Sequence, residues 1–193
     1  PKSQVEVYEN TGLPGILTGV KKTDVITASY STTAVVGIFV GSYPITATLN
    51  DPGNRLSNYS VTNTPSVLAV AAAPLSVVVD SKTKVYGDAN PVLTGILTGV
   101  KNSDAITASY STTAVVGSVV GSYPITATLN DPGTGLSNYS VTITPSTLTV
   151  TAAGLTVTVD NKTKVLNAPN PSLTGTIVGI KNADNISASY ATN

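Results

Sequence analysis

GILTGVKKTDVITASYSTTAVVG, residues 15–37, returns as GILTGVKNSDAITASYSTTAVVG at residues 95–117 and, changed and shortened, as GTIVGIKNADNISASYATN at residues 175–193. The offsets are 95 − 15 = 80 and 175 − 95 = 80. The first two copies stay in register without a gap through GSYPITATLNDPG and LSNYSVT to Val70 and Val150, with about four positions in five identical. A fixed period of this length marks one supersecondary unit repeated along the chain.

Working outward from that stretch, the middle copy reads as strands from Pro74 to Ala153. Leu75, Val77 and Val79 alternate with Ser76, Val78 and Asp80, the period of a half-buried strand. The segment from Val92 to Val100 is apolar but broken by Gly95 and Gly99, which predicts a bulged or strongly twisted strand. A KNSD turn at Lys101–Asp104 leads into Ile106, Ala108 and Tyr110 on one face, and the Val-rich stretch Val115–Val120 counts as a further strand. Tyr123, Ile125, Ala127 and Leu129 alternate with Pro124, Thr126 and Thr128. In Asp131-Pro132-Gly133 the Asp caps, Pro presets φ and Gly accepts a positive φ. Tyr139, Val141 and Ile143, then Leu148 and Val150, complete about seven short strands. Pro44 and Pro124 cannot donate to a ladder, so their strand is expected at a sheet edge or bulged.

No segment carries a helical period of useful length, which excludes parallel α/β folds with crossover helices. The fold class expected is all-β: tandem immunoglobulin-like antiparallel β-sandwich repeats of about 80 residues, arranged end to end. The boundaries that follow are residues 1–73 for a first repeat lacking its first strand, 74–153 for a complete second, and 154–193 for a third truncated after about half. The repeats meet at Ala71-Ala72-Ala73-Pro74 and Ala152-Ala153-Gly154, junctions short enough to limit swing.

Composition narrows the function. Charged residues are 10% of the chain and hydrophobic residues 41%, so apolar material is ample and the polar surface is mostly Thr, Ser and Asn. Net charge is zero, leaving no basic footprint for nucleic acid or an anionic membrane. No apolar run reaches the roughly 20 residues of a membrane span. The chain starts at Pro1 and lacks Met, so a signal peptide or anchor is expected outside it. Absence of Cys fits an oxidising exterior without disulfides and the cytoplasm equally.

Site chemistry is sparse. Without His or Cys, and with Glu only at Glu6 and Glu9, a Ser–His–Asp arrangement is impossible and no catalytic residue is assigned. Asp88 and Asn90, with Asp80 nearby, have oxygen ligands suited to calcium. Position 88 is Tyr8 in the first copy and Ala168 in the third, so these residues are read as turn caps, with calcium the alternative and no cofactor assigned. Asp24, Asp104 and Asp184 recur at one phase after a Lys and are read as turn residues bonding their own backbone. Tyr43, Tyr59, Tyr123 and Tyr139 are read as core or corner residues with a bonded hydroxyl, against a sugar-stacking alternative. Sequons at Asn58, Asn138, Asn161 and Asn185 are what a chain this rich in Asn, Ser and Thr yields without selection. A Lys–Asn isopeptide crosslink needs a buried acid beside the pair, and no such trio stands out.

KTKVYGDANPVLTGILTGVKNSDAITASY, with GSYPITATLNDPG, LSNYSVTIT and a closing STLTV strand, resembles the MBG-type repeats of bacterial surface proteins. The resemblance is strongest over residues 75–150. The first copy has Glu6 opposite Tyr86, and the third has LNAPN at residues 166–170 where the second has YGDAN. The resemblance implies a large secreted or surface-anchored, adhesin-like polypeptide with no catalytic activity and no agreed ligand. The expected role is therefore a non-catalytic spacer or stalk at the bacterial cell surface or outside the cell, its partners being neighbouring repeats of the same polypeptide. The alternatives are a homo-oligomeric extracellular filament assembled by strand complementation, and an adhesion module binding a glycan or protein.

Overall fold

A computed structural model describes residues 13, 15–21 and 24–192. Among these the structure is all-β apart from two single 3₁₀ turns, at Leu56–Asn58 and Gly135–Asn138. In chain order the strands are β1 (Thr27–Thr32), β2 (Gly41–Asn50), β3 (Ser66–Val70), β4 (Ala73–Val79), β5 (Lys82–Val85) and β6 (Gly95–Thr98). They continue as β7 (Thr107–Thr112), β8 (Gly121–Asn130), β9 (Tyr139–Thr144), β10 (Ser146–Thr151), β11 (Thr156–Val159) and β12 (Gly175–Val178). The chain forms two compact units. The first is Pro1–Leu75 with Gly99–Ile106 and Asp131–Val141, and the second is Ser76–Thr98, Thr107–Asn130 and Thr142–Asn193.

In the first unit β1, β2 and β3 form an antiparallel sheet in that order, with Thr27 opposite Asn50 and Gly41 opposite Val70. Strand β2 alternates half-buried and exposed residues throughout, as a strand with one covered face must. The segments 99–106 and 131–141 lie with it: the backbone N–H of Val40 donates to Asn138 Oδ1 at 2.9 Å.

The second unit holds the main core. Sheet β5-β10-β8-β7 and sheet β6-β4-β9 share one apolar layer, in which Val79 of β4 meets Ile125 of β8, Leu148 of β10 and Ala114. Leu93, Tyr110, Tyr123 and Ala127 close around it. Two sheets joined through such a layer have the packing of a β-sandwich. The alternation read at Leu75, Val77 and Val79 is borne out, since all three are buried. A further pair, β11 with β12, is antiparallel with Thr156 opposite Val178, and every residue of β11 is exposed.

Four expectations about the strands are corrected. The Val-rich stretch is no strand: the N–H of Ser118 closes a turn on the carbonyl of Val115, and Val115, Val116, Val119 and Val120 are all exposed. The polar KTKV segment is a strand instead. It pairs parallel to β10, Leu148 opposite Lys82, because the chain crosses from one sheet to the other at Asp80–Ser81 without reversing, so that sheet is mixed rather than purely antiparallel. The strand through 92–100 shrinks to Gly95–Thr98. Finally, β2 and β8 are central strands. Their prolines are tolerated because β8 pairs with β7 only as far as Ile125, and β2 with β1 only as far as Ile45. Pro124 and Pro44 are therefore flanked on one side alone, by Thr147 and Val67, where a missing N–H costs no second ladder bond.

The Asp-Pro-Gly turn caps as read: Asp131 Oδ2 accepts the N–H of Leu136 at 2.7 Å, and Asp51 Oδ2 that of Leu56 at 2.6 Å. The positive φ falls not on its glycine but on the next residue, Asn54 at 52° and Thr134 at 57°. Asn enters the left-handed region readily, whereas a β-branched residue there is strained by about 1–2 kcal/mol. Thr134→Asn, which copies the first repeat, is expected to stabilise the protein by about 0.5–1 kcal/mol. A raised urea midpoint with an unchanged slope would register the gain, and an unchanged midpoint would contradict it.

Candidate functional site: turns read by tyrosines

In each Lys-x-x-Asp segment the Asp N–H donates to the Lys carbonyl, at 3.1 Å for Asp24, 2.9 Å for Asp104 and 2.9 Å for Asp184, and at Lys101–Asp104 and Lys181–Asp184 this closes a tight turn. In the second and third copies both central residues have positive φ, 55° at Asn102 and Ser103, and 51° and 55° at Asn182 and Ala183. That is the type I′ pattern. With the turn held by backbone, the Asp side chain is free to project, and among the described residues its hydrogen-bond partner is a tyrosine hydroxyl rather than its own backbone. Asp104 Oδ2 accepts the hydroxyl of Tyr139 at 2.7 Å, while that hydroxyl accepts the N–H of Lys101 at 2.8 Å. Tyr59 repeats the arrangement with Asp24 at 2.6 Å and the N–H of Lys21 at 2.9 Å. Asp184 instead takes the hydroxyl of Tyr86, at 2.9 Å to Oδ2 and 3.1 Å to Oδ1.

These contacts set the electrostatics. Tyr59 is held above the ordinary phenol value by its hydrogen bond to Asp24, since ionising the phenol would set two anions together. Tyr139 is raised chiefly by burial and then by Asp104. Asp51 is lowered because backbone N–H groups of Arg55 and Leu56 solvate its carboxylate.

The tyrosine reading holds in each case. Besides Tyr59 and Tyr139, the hydroxyl of Tyr43 donates to the Phe39 carbonyl at 2.7 Å and that of Tyr123 to the Val119 carbonyl at 2.9 Å. Such a bond to backbone a few residues upstream ties a loop to the strand it enters, as in the tyrosine corner of sandwich folds. The calcium candidates are engaged separately by protein groups. Asp80 Oδ2 accepts the Thr94 hydroxyl at 2.5 Å and lies 3.7 Å from Lys82 Nζ. Asp88 Oδ1 pairs with Lys181 Nζ at 3.1 Å, and Asn90 Nδ2 donates to the Ala114 carbonyl. Among the described residues no group of three metal-ligating side chains comes together.

Two features escaped the sequence reading. Lys84 is 6% exposed, its ammonium donating to the carbonyls of Val115 at 2.6 Å and Asp88 at 3.1 Å; it ties β5 to the Val-rich turn. Tyr59 and Tyr139 each lie 35 residues after their Asp. That constant spacing was visible in both copies but carries no sign of contact by itself.

No curated protein and no solved structure matches the chain. The family described as MBG domain (YGX type) matches residues 75–149 and 155–193, and the chain's single Tyr-Gly pair, Tyr86-Gly87 followed by Asp88, falls in the first of these. With more than half of its residues matched in two successive segments, the chain belongs to the MBG domain (YGX type) family.

Proposed function

We propose that the chain is a set of tandem immunoglobulin-like spacer repeats from a bacterial cell-surface or secreted adhesin-like protein, and that it performs no catalysis. The observation that carries this reading is where the polar side chains are spent. The turn carboxylates Asp24, Asp104 and Asp184 and the hydroxyls of Tyr43, Tyr59, Tyr86, Tyr123 and Tyr139 all bind other parts of the chain. Chemistry directed at a substrate needs such groups left free and convergent in a pocket. The MBG family is not a known class of enzymes, which agrees with that use. In this reading the repeats fall at 1–73, 74–153 and 154–193 and act by holding other parts of the polypeptide at a distance, with neighbouring repeats as their partners.

Small-angle scattering of the 193-residue chain tests the proposal. A spacer gives a radius of gyration well above the roughly 16 Å of a compact globule of this length, with a rod-like pair-distance profile. A compact profile would overturn it, and reproducible binding on a glycan array would replace it with the adhesion module.

A further inference from the structure

The Tyr-Gly-Asp tripeptide sits in the turn Val85–Asp88, closed by the N–H of Asp88 on the Val85 carbonyl at 3.1 Å, with Gly87 at φ 84°. Its backbone is fixed to the end of β10: the N–H of Tyr86 donates to the Thr151 carbonyl at 2.8 Å, and the Thr151 hydroxyl to the Lys84 carbonyl at 3.2 Å. The turn is thus anchored where the chain leaves the second copy through Ala152-Ala153-Gly154 for the third.

All three side-chain positions of the tripeptide meet the Lys181–Asp184 turn of the third copy. The Tyr86 hydroxyl donates to the Asp184 carboxylate, and the Asp88 carboxylate pairs with Lys181 Nζ at 3.1 Å. A Cβ on Gly87 would stand 2.6 Å from Lys181 Cβ and 2.9 Å from its Cγ, so the lysine stem occupies the space that glycine leaves. Beside this contact a cavity of about 210 Å³ is lined by Val120, Ala152, Leu155, Ile180 and Ile186.

The third copy supplies an internal comparison. Its Val165–Ala168 segment makes the same turn, with the N–H of Ala168 on the Val165 carbonyl at 3.0 Å and Asn167 at φ 65°. Leu166, Asn167 and Ala168 replace Tyr86, Gly87 and Asp88. The turn therefore forms without the tyrosine hydroxyl, the bare glycine or the carboxylate. Asn meets the demand for positive φ but not the demand for space. What the tripeptide adds is contact with the next copy.

We propose that the YGX tripeptide is a junction lock: it docks onto the Lys-x-x-Asp turn of the following repeat and fixes the angle between the two. Asp104 and Asp184 together show how the receiving turn works. The same carboxylate position takes a phenol from its own repeat, as from Tyr139, or from the preceding repeat, as from Tyr86; its two oxygens offer about four lone-pair sites, enough for both. The lock is then written in the sequence junction by junction. Tyr-Gly-Asp closes it, whereas Leu-Asn-Ala has no hydroxyl at its first position, no carboxylate at its third, and an Asn side chain where glycine leaves room. The lock stands apart from the spacer reading, since it orders two repeats whatever the polypeptide carries.

The native chain lacks Cys, so spin labels at Thr128→Cys and Thr176→Cys, both exposed positions, report the angle by double electron–electron resonance on the full 193-residue protein. A single narrow distance distribution is expected for the parent. Grafting the third copy's own turn, as Tyr86→Leu with Gly87→Asn and Asp88→Ala, is expected to widen it roughly twofold or more, because domains without an interface move relative to each other. Lys181→Ala with Asp184→Asn should give the same widening from the receiving side, and Tyr86→Phe a smaller one. A parent distribution already broad, or an unchanged width in both multiple variants, would overturn the proposal. Scattering that finds a compact chain while these labels behave as expected would remove the spacer and leave the lock.

Discussion

Leu148→Ala is expected to destabilise the second unit by about 2–5 kcal/mol, and Leu68→Ala, in a near-identical local sequence, by only about 1–2 kcal/mol. Both leucines follow a Pro-Ser-x step and precede x-Val, and both face the tyrosine of the adjoining strand, Leu148 opposite Tyr123 and Leu68 opposite Tyr43. What differs is the covering layer. Leu148 is 0% exposed, enclosed by Val79 from the opposite sheet as well as Ile125 and Ala114, while Leu68 is only half-buried. Truncating an enclosed leucine loses transfer energy and leaves a cavity that rigid neighbours on both sides cannot fill; truncating a half-buried one loses part of the transfer energy and opens a dent that water enters. Urea unfolding of both variants reads the difference. Equal losses would mean that the identical stretches are equally enclosed in solution, contrary to the structure. Against total stabilities of 5–15 kcal/mol typical of single domains, the larger loss threatens folding of the second unit outright.

That pair of leucines also shows what the sequence made legible. Period-two alternation found β4, β7, β8 and β10, because a strand with one dry face must alternate, and Leu75, Val77, Ile125 and Leu148 are buried as that rule requires. It misled at Val115–Val120, where apolar content was taken for a strand although Gly117 and Ser118 lie inside it. It missed β5, because Lys82 and Lys84 read as polar surface while Lys84 is in fact buried with its charge satisfied by two carbonyls. The turn aspartates were placed correctly and assigned the wrong partner. Turn propensity is local and readable, but the bond from Tyr139 to Asp104 depends on how strands 35 residues apart are brought together. The Tyr86–Asp184 bond spans 98 residues, beyond anything a local pattern encodes.

Gly99→Ala is the second substitution expected to cost heavily, about 2–5 kcal/mol, from about 1–2 for placing a side chain in the left-handed region and about 1–3 for overpacking. Gly99 has φ 97°, and a Cβ there would collide with the Pro74 carbonyl oxygen and come within 3.3 Å of Leu75 Cα. Both obstacles are backbone at the start of β4, which cannot move without displacing Leu75 and Val77 from the core. Gly179 repeats the crossing at φ 105°, where its obstacles are the Gly154 carbonyl and, at 3.4 Å, Leu155 Cα. Gly19 occupies the same place in the first copy at φ 85°, and among the described residues no atom lies within 4 Å of an added Cβ. Gly19→Ala should therefore pay the conformational term alone, about 1–2 kcal/mol. At about 4–8 °C per kcal/mol for a domain of roughly 60–100 residues, the Gly99 change corresponds to a melting temperature lower by roughly 10–40 °C, and the Gly19 change to one lower by roughly 4–16 °C. Calorimetry of the two variants separates the two causes. Equal shifts would show that φ alone makes glycine necessary here, while a deeper loss at Gly99 assigns the excess to the strand that crosses above it.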